Sequence, residues 1–89
     1  MKAVITVIGR DTVGILAKVS TECASKGANI IDVTQSVMSG MFTMIMLVEL
    51  DGLTSDFSEL VNSLEALGEQ IGMKVHVMHE DIFNSMHRI

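Results

Sequence analysis

A chain of 89 residues with net charge −5 has room for one core, and its six Lys and Arg are scattered as Lys2, Arg10, Lys18, Lys26, Lys74 and Arg88. That leaves no basic stripe for a phosphate backbone and excludes nucleic acid as a partner. No apolar run approaches the roughly 18 to 20 residues of a membrane-spanning helix, the Met1–Ile5 start is too short for a signal peptide, and the lone Cys23 has no internal disulfide partner, so a cytoplasmic, single-domain protein (1–89) is expected.

Ala3 to Ile8 is an almost unbroken β-prone run, as expected of a central strand buried on both faces. The turn Gly9-Arg10-Asp11-Thr12-Val13-Gly14-Ile15 follows. A glycine at each end permits tight reversal, and the next helix aims unpaired N–H groups back into the turn, a geometry suited to a small anion or zwitterion. From Gly14 to Lys26 the residues Ile15, Leu16, Val19 and Cys23 recur at helical spacing, with Lys18, Glu22 and Lys26 as a charged stripe and Gly27 as the stop.

Ile30 to Met38 reads as a half-exposed strand, with Ile31, Val33 and Val37 on one side and Asp32, Thr34 and Ser36 on the other. Ser39-Gly40 is a hairpin signal, Met41 to Leu50 is a second nearly continuous apolar strand, and Asp51-Gly52 ends it. A helix comes next, with Phe57, Leu60, Val61, Leu64, Leu67 and Ile71 on one face, Ser55 or Asp56 as cap and Gly68 or Gly72 as stop. Met73 to His79 is the last strand, and Ile82, Phe83, Met86 and Ile89 form the apolar stripe of a short C-terminal helix. Residues 1–79 are thus the core and 80–89 a helical extension.

The order βαββαβ is that of an α+β, ferredoxin-like sandwich: a four-stranded antiparallel sheet with two helices on one face. Met41, Ile45 and Leu47 then point away from those helices, opposite to Phe42, Met44, Met46 and Val48. The C-terminal stripe is too small to cover that second face, so a second copy of the chain is expected to supply most of the cover.

The strand order, the Gly9–Ile15 turn and the Gly27-Ala28-Asn29-Ile30 entry to the second strand together resemble an ACT domain, and with no catalytic domain attached the chain is most similar to the small stand-alone members. The resemblance covers Met1 to about Met78. It implies a regulatory module, not an enzyme, that pairs side by side and binds a small molecule, an amino acid above all, at the subunit interface. Residue by residue it implies Gly9, Arg10, Asp11, Val13 and Gly14 from one copy and Asn29 and Ile30 from the other, with no cofactor or metal. Asp11 suits a ligand ammonium, Asn29 either ligand end, and the helix N-terminus after Gly14 a carboxylate. Val13 stands where many members carry proline, and Gly9 where several amino-acid binders carry a polar side chain.

Other readings compete at the same residues. The two glycines, and an Asn29 in a left-handed turn, can be purely structural, and Asp11 can be a helix-entry carboxylate. A ligand-free adaptor docking a regulated protein is the alternative function. An acylphosphatase-like enzyme would use Arg10 and Asn29 but lacks the loop of phosphate-facing amides. The turn also lacks a P-loop's Gly-Lys-Ser/Thr ending. Cys23 reads as an inert core thiol, and His76 and His79 point to opposite faces, so metal chelation would need His87 to fold back.

Overall fold

The computed structural model describes residues 1–86, apart from the side chains of Phe83, Ser85 and Met86. Its elements are β1 (Lys2–Arg10), α1 (Ile15–Ser25), β2 (Asn29–Met38), β3 (Met41–Glu49), α2 (Phe57–Ile71), β4 (Met73–His79) and α3 (Glu80–Met86). The sheet is antiparallel with order β2-β3-β1-β4. The two nearly continuous apolar runs became the two central strands, each hydrogen-bonded to a neighbour on both sides, but the burial on both faces expected of them is complete only on the helix side, since Ile8, Met41 and Ile45 are exposed.

Ala3, Ile5 and Val7 of β1 and Phe42, Met44, Met46 and Val48 of β3 alternate onto the helix side and are buried there. Leu60 and Leu64, one turn apart on α2, and Val19 and Cys23 on α1 are fully buried against them. Burying each such Leu side chain contributes about 1.5 to 3 kcal/mol. The helices are also tied to each other: the Ser63 hydroxyl donates to Glu22 Oε2, and Lys26 Nζ lies 3.4 Å from that carboxylate.

The structure chooses between the expected alternatives at both ends of α2 and corrects the alternation expected of β2. Gly72, at φ 72°, ends α2, whereas Gly68 lies inside the helix and is buried, because a Cβ there would meet Val75 Cγ2 at 2.6 Å. Asp56 holds the N-cap position of α2 without a side-chain cap bond, and the Ser55 hydroxyl, also expected as a cap, has no partner among the described residues. The alternation of β2 is broken by a bulge at Ile31: Ile30 opposes Val48 and Asp32 opposes Leu47, so Ile30, Val33 and Val37 share the helix side while Ile31 is left unpaired.

On the outer face α3 packs against β1 and β4, and Val4 at that end is buried. Ile8, Met41 and Ile45 remain 45%, 50% and 41% exposed, so much of this face is open in the single chain. Ile82 of the expected C-terminal stripe is also exposed. The contributions expected of Phe83, Met86, His87 and Ile89 lie outside the described residues.

Candidate functional site

The β1–α1 turn leaves the sheet at Arg10, whose strand partner is Met41. Asp11, Thr12 and Val13 project into solvent, Val13 at 95% exposure. Gly14 holds the N-cap of α1 at φ 87°, a left-handed conformation that costs an L-residue about 1 to 2 kcal/mol. No side chain caps the helix and no acidic residue sits in its first turn, so the N-terminal amides of an 11-residue helix stay open. Asp11 is therefore not serving as a helix cap. Its own N–H donates to the Gly40 carbonyl at 2.9 Å, tying the turn to the β2–β3 hairpin.

That hairpin turns through Ser39 (φ 52°) and Gly40 (φ 79°), two left-handed residues whose twist matches the flanking strands. Arg10, Asp11, Ser39, Gly40 and Met41 line an open cleft of about 460 Å³. The sequence marked Ser39-Gly40 only as a turn. Its place beside Asp11 follows from the register of β1 on β3, which no local signal encodes.

Gly9 has a packing reason of its own. A Cβ on it would meet Met73 Sδ at 2.6 Å and the Gly72 carbonyl oxygen at 2.9 Å. The absence of a polar side chain there is thus set by the close approach of the α2–β4 junction, whatever binds in the turn.

Asn29 opens β2 at the opposite end of the sheet, opposite Glu49, which in turn faces Lys2. Its entry is fixed by Gly27, at φ 81°, whose backbone lies so close to the Gly52 carbonyl that no Cβ fits, and by Thr54, whose N–H donates to the Lys26 carbonyl at 3.0 Å. Gly27 absorbs the left-handed turn, so the left-handed reading of Asn29 is wrong: Ser39 is the one non-glycine with positive φ among the described residues. Asn29 is exposed, and Ile30 is half-buried against the core.

Within one chain, then, the candidate residues form two groups. Gly9, Arg10, Asp11, Val13 and Gly14 lie together at one end of the sheet, and Asn29 and Ile30 lie at the other. The eight strand steps between those ends span roughly 27 Å at about 3.4 Å each. A two-fold, antiparallel approach of β2 to β2 from a second copy would set the start of one strand beside the end of the other, next to the hairpin that holds Asp11.

Cys23 is buried, and that burial pushes its thiol up to about 11, away from the thiolate form a nucleophile needs. His79 Nδ1 accepts the Asp81 N–H at 3.3 Å, while His76 stands exposed on β4.

Comparison with known proteins bears on this arrangement. Residues 2–78 match the ACT domain family. The UPF0237 protein MMP0657 of Methanococcus maripaludis is 54% identical over 86 residues, covering 97% of this chain and 96% of its own length. An ACT domain protein from Streptococcus pneumoniae superposes with a TM-score of 0.81 at 42% identity, covering 93% of both chains. The regulatory subunit of aspartate kinase from Thermus thermophilus, in its ligand-free form, gives a TM-score of 0.69 at 28% identity over 89% of this chain and 51% of that one. The chain belongs to the ACT-domain family of small regulatory, ligand-binding modules.

Proposed function

We propose that this chain is a homodimeric regulatory module that senses an amino acid bound between its two copies, without performing chemistry on it. Gly9, Arg10, Asp11, Val13 and Gly14 of one protomer form one half of the site, and Asn29 and Ile30 of its partner the other. The uncapped N-terminus of α1, beside an exposed Asp11, carries the reading: open amides favour a carboxylate and the aspartate favours an ammonium, the two charged ends of an amino acid. The likeness to a regulatory subunit of aspartate kinase supports a regulatory role of this kind. A cytoplasmic setting, where free amino acids report metabolic state, belongs to the same reading.

A thermal-shift screen against the common amino acids tests it. Ligand at about 100-fold above Kd stabilises by roughly 2.7 kcal/mol, and each kcal/mol moves Tm by about 4 to 8 °C in a domain of this size. A shift with one amino acid or a related group is expected, together with a dimer mass by light scattering. A flat screen at millimolar ligand rejects amino-acid sensing.

A second reading, a ligand-free adaptor that docks a regulated protein, is favoured by the open outer face at Ile8, Met41 and Ile45. A flat screen would leave this one standing.

A further inference from the structure

The sheet has two edges, and they are built differently. The β2 edge is interrupted by the bulge at Ile31. The β4 edge is regular: its seven residues keep unbroken register with β1 from Ala3 opposite His79 to Gly9 opposite Met73, and among the described residues β4 pairs with β1 alone. Its outward N–H and C=O groups form an unpaired row with neither bulge nor proline, the kind of edge that accepts another strand.

A shelf overhangs this row. Because Gly68 has no Cβ, α2 lies directly on β4: an added Cβ would meet Val75 Cγ2 at 2.6 Å and the Met73 carbonyl at 2.8 Å. Glu65 and Glu69, one helical turn apart and exposed, thereby stand over the edge and line a groove of about 430 Å³ with Met73, Lys74, Val75 and His76. Below the edge the sign reverses. Lys74 and His76, opposite Ile8 and Thr6, are exposed on the outer face, whereas Met73 and Val75 turn inward. The β4 edge is therefore acidic on its helix side and carries basic residue types on its outer side.

We infer that the β4 edge takes up an extended peptide segment of a partner protein as a fifth strand, with alternate side chains basic toward α2 and acidic toward the outer face. Successive residues of a strand point to opposite faces, so alternating Lys and Glu meets both rows at once. A second copy fits this edge poorly. Two-fold pairing of β4 with β4 sets Glu65 and Glu69 toward their own equivalents and Lys74 toward its own, so like charges face each other. The β2 strand offers Val33, Gln35 and Val37 on its helix side, with no cation for the glutamates.

Titration of the intact, isotopically labelled chain with two synthetic heptapeptides of equal composition tests this, one alternating Lys and Glu and one with the same residues in blocks. The experiment is run without amino acids, so its outcome is independent of the ligand site. Amide shifts concentrated at Met73–His79 are expected, with the alternating peptide binding at least about tenfold tighter than the blocked one. Glu65→Lys with Glu69→Lys, both at exposed positions, should weaken the alternating peptide by a similar factor and favour a Glu-Thr peptide. Lys74→Glu, checked separately, should favour a Lys-Thr peptide. Absence of β4 shifts at millimolar peptide, equal affinity for both orders, or indifference to the charge reversals overturns the inference. So do β4 shifts that grow with protein concentration alone, because a second copy would then hold the edge.

Discussion

The main-chain N–H of Asp11 donates to the carbonyl oxygen of Gly40 at 2.9 Å, so the turn that opens α1 is tied to the hairpin that ends β2. This bond gives the proposed shared site its geometry. In a two-fold pair, whatever approaches the end of β2 also approaches the carboxylate of Asp11, and the partner's Asn29 arrives there only if the strands run antiparallel.

Complementation follows from that geometry. Asp11→Ala and Asn29→Ala should each weaken amino-acid binding with little loss of fold, since both side chains are exposed. Mixed and re-equilibrated, the two variants would form heterodimers in about half of the pairs, each with one doubly damaged and one intact site, restoring about a quarter of all sites to native affinity. Calorimetric titration of the mixture counts those sites. No restoration would mean that the two residues do not meet across an interface.

Gly9 separates packing from binding. Gly9→Ala forces a methyl into Met73 Sδ and the Gly72 carbonyl and should cost about 1 to 3 kcal/mol by denaturant unfolding. Pairing it with Met73→Ala, which empties the space that the Met73 side chain holds, should make the two costs less than additive. Full additivity would show that Met73 does not constrain Gly9 and would assign the cost to the Gly72 carbonyl.

Much of this architecture was legible in the chain, and the parts that were not share one cause. Ala3–Ile8 and Met41–Leu50 announced the central strands because both are apolar at nearly every position, although only their helix-side residues are covered along the whole strand in the single chain. The α2 face announced itself through Leu60 and Leu64 at helical spacing. The bulge at Ile31 left no such record, since Ile30 and Ile31 are equally apolar and only pairing with Val48 and Leu47 decides which turns inward. The reasons for Gly9 and Gly68 were equally hidden, as each depends on a residue brought close by the fold: Met73 in the first case, Val75 in the second. The two groups of the candidate site were identifiable by residue type, but their placement at opposite ends of the sheet needed the strand register.

The core makes a simpler prediction. Met46 and Leu64 are fully buried, so truncating either to Ala removes transfer energy and leaves a cavity, at about 2 to 5 kcal/mol each. In a domain this small that range is comparable with the whole stability. Leu64→Ala should lower the urea midpoint steeply, whereas truncating exposed Met38 should leave it nearly unchanged. Equal effects would contradict the assignment of the two faces.

Acid stability should carry a signature of the Glu22 carboxylate. The Ser63 hydroxyl is the largest influence holding the Glu22 carboxyl below its ordinary value of 4.5; burial opposes it next, and Lys26 adds a further lowering. A carboxyl whose pKa is depressed by folding adds stability that is present above the unfolded value and is lost as pH falls through the folded one. Ser63→Ala removes the leading cause, so it should cost about 1 kcal/mol near neutrality. That difference should shrink as pH falls below 4.5 and be gone once Glu22 is protonated in both proteins. Urea unfolding of the native chain and the variant at stepped pH reads this directly. A gap that stays constant into strong acid would assign the Ser63 contribution to packing between α1 and α2, and not to the charged hydrogen bond.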